Sequence, residues 1–264
     1  MKMPRFASAL SALLLASGLT LAGAGPARSA GPVYVALGDS YSSGLGAGAY
    51  DSASGDCRRS PNAYPALWAA AHHATSFAFA ACAGASTTDV VDKQLNRLGA
   101  ATSLVSVTVG GNDAGFADVM STCVLHSQAT CLSRVAQARD YVDKTLPARL
   151  DATYAAIRVR APRAHVVVVG YPRFYEVPGD CLLGLTDTSR NAIDAAADDL
   201  DGVLAKRAAD HGFAFADVRR AFTGHELCSG SPWLHSLTLP LEESYHPTAA
   251  GQHGGYLPPF GAVA

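Results

Sequence analysis

The chain has 264 residues, 49% of them hydrophobic and 16% charged, with a formal net charge of −2. That apolar content excludes a disordered chain, and the length suffices for one sizeable core. The near-neutral balance argues against a nucleic-acid binder, which carries a basic patch or stripe. Beyond residue 30 no run approaches the roughly 18 apolar residues that span a bilayer.

In chain order, residues 1–30 read as a secretory signal peptide. Lys2 and Arg5 open it, residues 6–21 are almost wholly apolar, and small residues follow, so cleavage is expected between Ala24 and Ala30. The apolar run is short and Pro26 follows it, which favours a cleaved leader over an anchor. Cutting after Ala24 removes two basic residues and no acidic one, leaving a charge of −4. Residues 31–264 show no repeat, linker or composition shift, and read as one domain.

Within that domain, residues 33–37 are expected as a buried strand, followed by a helix over 64–71 and a strand over 76–80. A helix over 89–98 and a strand over 104–109 come next. Helical spacing then runs from 131 to 159, where Pro147 kinks or divides it. A strand over 165–170, a long helix over 187–211 with Asp187 or Thr188 as N-cap, and a strand over 213–217 complete the pattern. Continuous apolar strands alternating with helices imply an α/β domain, its parallel sheet covered on both faces.

In such a sheet the chemistry gathers just beyond the carboxyl ends of the strands. After the first strand stands Gly38-Asp39-Ser40-Tyr41-Ser42-Ser43-Gly44, and after the third Gly110-Gly111-Asn112-Asp113. Near the C-terminus is Ser244-Tyr245-His246-Pro247-Thr248-Ala249-Ala250-Gly251. Pro247 suits the first turn of a final helix, with His246 at its entrance. Each block alone is also what a turn or a helix cap looks like. Together they supply a hydroxyl nucleophile, an amide donor and an imidazole, the parts of acyl transfer. Asp39 and Asp113 read as structural acceptors of backbone N–H groups, and the other eight histidines show no partner pattern.

These residues, with Ala81-Cys82-Ala83-Gly84-Ala85-Ser86-Thr87 after the second strand, resemble the SGNH (GDSL-type) hydrolases. Within that family the chain is most similar to secreted actinobacterial esterases and lipases, and four blocks in order span nearly all of residues 31–264. The resemblance implies a single three-layer α/β/α domain, flavodoxin-like, with a five-stranded parallel sheet. It makes Ser40 the nucleophile and His246 the general base and acid. It also assigns an oxyanion hole to the backbone N–H groups of Ser40 and Gly84 and the side-chain amide of Asn112. Many members carry an Asp three residues before the histidine, where this chain has Glu243. Some secreted members use a main-chain carbonyl instead, for which Ser244 is the candidate. Both readings stand at this point.

Cysteine usage agrees with export. All six cysteines lie beyond the leader, and an exported chain meets an oxidising compartment. Fifteen pairings are possible and spacing does not choose among them. Sequential neighbours are favoured (Cys57–Cys82, Cys123–Cys131, Cys181–Cys228), since each would staple a segment between regular elements. Three sequential pairs also resemble the secreted members of the family.

The expected activity is cleavage of carboxylic esters by an esterase or lipase through an acyl-enzyme. A phospholipase or carbohydrate deacetylase using the same site is the alternative. Apolar residues after the strands (Tyr171, Phe174, Tyr175, Leu182, Leu183, Phe222, Trp233, Leu234 and Leu237) suit an acyl chain or pack the loops onto the sheet. Two other classes compete. Gly44-Leu45-Gly46-Ala47-Gly48-Ala49 matches a relaxed dinucleotide fingerprint, but it lies too far past its strand and lacks the ribose-binding acid. A non-catalytic secreted binding module is the other. No metal or organic cofactor is implied; the expected partner is a small-molecule or lipid ester, without nucleic acid or stable membrane insertion, for a secreted monomer.

Overall fold

The computed structural model of the chain describes residues 1, 3, 4, 31–181 and 184–264. The expected leader and its cleavage site lie outside the described residues, as do Leu182 and Leu183. The fold described is that of Gly31–Ala264.

Five strands, β1 (Val33–Gly38), β2 (Ser76–Phe79), β3 (Leu104–Thr108), β4 (His165–Val169) and β5 (Ala214–Ala216), form one parallel sheet in the order β2-β1-β3-β4-β5. The helices are α1 (Ser40–Ser43), α2 (Tyr64–Ala71), α3 (Thr87–Asp89), α4 (Phe116–Leu125), α5 (Gln128–Lys144), α6 (Leu146–Arg160), α7 (Asp187–Asp210), α8 (Arg219–Phe222) and α9 (Leu257–Gly261). The strands are apolar on both sides because both sides are covered. On one face Tyr34 of β1 packs its ring against Trp68 of α2 and Phe260 of α9. The other face carries α4 to α7, where α5 buries Cys131, Val135, Ala138 and Val142 at helical spacing. This is the expected three-layer arrangement with a five-stranded parallel sheet.

Several local expectations change. The helix expected over 131–159 is two helices, with Pro147 in the first turn of α6, where its missing N–H costs nothing. The N-cap of α7 is Thr186 rather than Asp187 or Thr188; its hydroxyl accepts the Ser189 N–H. The stretch 89–98 is not one helix. A capping box at Ser86 and Asp89 opens α3, a wider helical turn covers Val90–Gln94, and a tight one covers Leu95–Arg97. Pro247 does not start the final helix: it bridges to Leu234, and the Thr248 hydroxyl accepts the Gly251 N–H as the helical turns begin. Helix α4 has no counterpart among the elements expected from the sequence.

Three disulfides pair Cys57 with Cys82, Cys123 with Cys131, and Cys181 with Cys228. The second ties α4 to α5 and the third joins the loops beyond β4 and β5. By the loop-entropy argument each stabilises the fold by about 2–4 kcal/mol.

Candidate active site

Gly38 at the end of β1 pairs with Thr108 at the end of β3, so the turns leaving both strands emerge side by side. The Gln94 side chain holds the first turn, accepting the Gly38 N–H at 2.8 Å and donating to its carbonyl at 2.9 Å. Asp39 caps α1 by accepting the Tyr41 N–H at 2.9 Å. Ser40 is thereby the first residue of a helical turn, where its own N–H has no helical acceptor.

The loop carrying His246 is seated on this turn. The hydroxyl of Tyr41, next to Ser40, donates to the carbonyl of Tyr245, next to His246, at 2.8 Å. Gly46 lies beneath: a Cβ there would meet the Pro247 carbonyl at 2.8 Å and the His246 Cβ at 3.1 Å, and its φ of +89° already favours glycine. Gly46 thus lets this turn lie against the histidine loop. The result is contact across 206 positions of sequence, with His246 Nε2 2.8 Å from Ser40 Oγ. On the other side of the ring, Nδ1 is 3.0 Å from the Ser244 carbonyl. Glu243 turns elsewhere, its carboxylate accepting the Tyr50 hydroxyl at 2.6 Å.

Burial against Tyr41 and Phe116, whose rings lie 5.2 and 6.2 Å from the imidazole, sets its charge state. Desolvation pushes His246 from 6.5 down to about 4, outweighing the Ser244 carbonyl, which favours the charged ring. The ring is therefore neutral at pH 7. A carbonyl only accepts, so the Nδ1 facing Ser244 carries the proton and Nε2 presents a lone pair to the serine hydroxyl.

Gly84 sits in the left-handed region, with φ +78°, and no described backbone carbonyl takes its N–H. Asn112 donates from Nδ2 to the Ala85 carbonyl at 3.0 Å, which fixes its amide plane. Ser40, Gly84, Asn112 and His246 all line one groove. Asp113 accepts the N–H and hydroxyl of Thr87 at 2.9 and 2.6 Å, a structural engagement. Asp39 is buried, which pushes it up to about 7 against the hydrogen bonds it accepts. One of these comes from the Tyr171 hydroxyl at 2.5 Å, which also accepts the Gly111 N–H at 3.1 Å. Tyr171 therefore fixes the spacing between the turn that carries Ser40 and the turn that carries Asn112.

Two cavities meet at Ser40. The open groove encloses about 490 Å³. Behind it a narrow pouch of about 70 Å³ runs between the helices, walled by Phe116, Val119, Met120, Val142, Phe174 and Leu200. Tyr171 and Phe174 of the expected apolar set line the pouch and Leu237 lines the groove, whereas Phe222 and Leu234 are packed in the core. Phe116, Val119 and Met120 belong to no motif of the sequence. Their spacing along one helical face is the signal that marks them. Among the described residues no three His, Cys, Asp or Glu side chains converge as metal ligands would.

Comparison with known proteins gives a consistent picture. Residues 36–253 match the model of the GDSL-like Lipase/Acylhydrolase family. The chain is 62% identical over 262 residues to a lipase of Streptomyces rimosus, covering 98% of each chain. The crystal structure of the extracellular lipase from Streptomyces rimosus superposes with a TM-score of 0.87 at 63% identity, over 88% of this chain and 100% of that one. Phospholipase A1 from Streptomyces albidoflavus NA297 superposes equally, at 0.87 and 61% identity, over 89% and 100%.

Proposed function

The chain belongs to the GDSL-like Lipase/Acylhydrolase family and is a carboxylic ester hydrolase; from that premise we propose that Ser40 is its nucleophile and His246 its general base and acid. The observation that carries this is the 2.8 Å contact between Ser40 Oγ and a neutral His246 Nε2, backed by the Ser244 carbonyl at 3.0 Å. Ser40 Oγ attacks the ester carbonyl and passes its proton to Nε2. The new oxyanion accepts the N–H groups of Ser40 and Gly84 and the Asn112 amide. Collapse breaks the bond to the alcohol, which leaves with the proton held by His246. Water then repeats the sequence on the acyl-enzyme and releases the acid. The imidazolium that forms transiently is held by a carbonyl dipole rather than a carboxylate, so the site is a dyad with a main-chain support.

For substrate, the reading is an ester whose acyl chain extends beyond acetyl. A pouch walled by apolar side chains and opening at the nucleophile suits an acyl tail and is wasted on an acetyl group, which weighs against a carbohydrate deacetylase. Lipase and phospholipase A1 are the names of the similar proteins, and the same geometry serves either. Secretion completes the reading, supported by the three disulfides and by the extracellular lipase among the relatives. The test is hydrolysis of p-nitrophenyl esters of rising acyl length by wild type and Ser40→Ala. Wild type prefers chains beyond acetyl. The variant loses essentially all turnover while keeping the wild-type circular dichroism spectrum; retained turnover removes the nucleophile assignment.

A further inference from the structure

The mouth of the catalytic groove has two apolar lips. One is the end of α4, with Val124 and Leu125; the other is the loop 237–241, with leucines at alternate positions. Leu125 is 74% exposed, Leu237 59%, Leu239 83% and Leu241 63%. All of these except Leu239 also line the groove. Among the described residues beyond 30, the other exposed large hydrophobic side chains are Val91 and Val159, each alone in its segment. Single exposed apolar residues are ordinary, whereas a cluster concentrated at one rim marks an interaction surface.

Any partner covering the lips must leave the groove supplied with substrate. A second protein chain lying across them would seal it. A lipid surface buries the same leucines and delivers an ester to the nucleophile in one step. Charge selects the surface. Neither lip carries Lys or Arg. Beside the lips Glu242 is paired with Arg58 at 3.0 Å. With no Lys or Arg in either lip and Arg58 beside them paired to Glu242, binding depends chiefly on apolar insertion.

We infer that the two lips are a docking surface for an uncharged or zwitterionic ester-lipid surface, with Leu239 as the inserting side chain that is not part of the groove. This rests on the ester-hydrolase reading above and adds where the substrate is presented.

The test is co-sedimentation of the full enzyme with vesicles of a dialkyl-ether phosphatidylcholine, which cannot be hydrolysed, alongside turnover of soluble p-nitrophenyl acetate. Wild type binds the vesicles with little dependence on salt. Leu239→Glu binds them about tenfold or more weakly, the effect expected when one inserting leucine is lost. Val159→Glu, on an isolated exposed valine, binds as wild type does. All three hydrolyse p-nitrophenyl acetate at the same rate. Wild type that ignores the vesicles, or Leu239→Glu that binds them undiminished, overturns the inference. So does a wild-type dimer in sedimentation velocity that Leu239→Glu dissolves, because a second copy would then be the occupant. Vesicle binding without ester hydrolysis by wild type would instead refute the functional reading and leave docking standing.

Discussion

Removing the aromatic cover of His246 should move the acid limit of the enzyme. With the ring pushed down to about 4 from an ordinary 6.5, its preference for the neutral form is worth about 3 kcal/mol. At pH 5 about 90% of the free enzyme then holds a neutral base, against about 3% for an unshifted ring, a difference of roughly thirtyfold in kcat/KM. Phe116 supplies part of the cover, with its ring edge-on to the imidazole at 6.2 Å. Phe116→Ala admits water there, and the acid midpoint should rise by about one unit or more toward 6.5. The assay is kcat/KM on a soluble ester between pH 3.5 and 8. Because Phe116 also lines the groove, its loss lowers the plateau as well, so the midpoint is the quantity to compare. Stability changes with the same sign. A histidine whose folded value is depressed contributes stability that is present above pH 6.5 and lost as pH falls toward 4. A wild-type midpoint between 6 and 7, or one that Phe116→Ala leaves unmoved, would refute the desolvation argument.

Three further substitutions probe the rest of the site. Asn112→Ala should cut kcat by about a hundredfold or more with little change in KM, the size of a lost oxyanion donor, in steady-state kinetics on a soluble ester. Glu243→Gln should change kcat/KM by less than about tenfold, because its carboxylate bonds Tyr50 and not the imidazole; a loss near a thousandfold would mean that its charge supports His246 after all. Val119→Trp should fill the pouch and shift the p-nitrophenyl ester preference toward short acyl chains, with the acetyl rate within a few-fold of wild type.

The legibility of the site in the sequence has a physical basis. Strand ends in a parallel sheet are where side chains face a common crevice, so the blocks after the first and third strands are found by looking just past a strand, whereas the block with Gly84 is marked only by the family resemblance. The strands themselves are legible because a doubly covered sheet needs uninterrupted apolar runs, as in Val166 to Val169. Helix α4 is not, because its N-cap is Gly115, which has no side chain to cap it, and Asp118 is the one start signal in its first turn. With α4 hidden, the pouch built on Phe116, Val119 and Met120 is hidden too. The supports of the site are concealed for another reason. Tyr171 reaches Asp39 across 132 positions and Tyr41 reaches Tyr245 across 204, contacts that depend on tertiary closure and leave no local pattern. The choice between Glu243 and the Ser244 carbonyl is likewise a matter of loop geometry: adjacent residues each offer a hydrogen-bond acceptor, and only the path of the chain decides which one faces the ring.

The most direct measurement is mass spectrometry of the protein after reaction with a fluorophosphonate that traps activated serines. A single adduct should form on the peptide containing Ser40, be absent from Ser40→Ala, and form far more slowly in His246→Ala. An adduct on a different serine, or equal labelling of the Ser40→Ala protein, would contradict the pairing of Ser40 with His246 on which the chemistry rests.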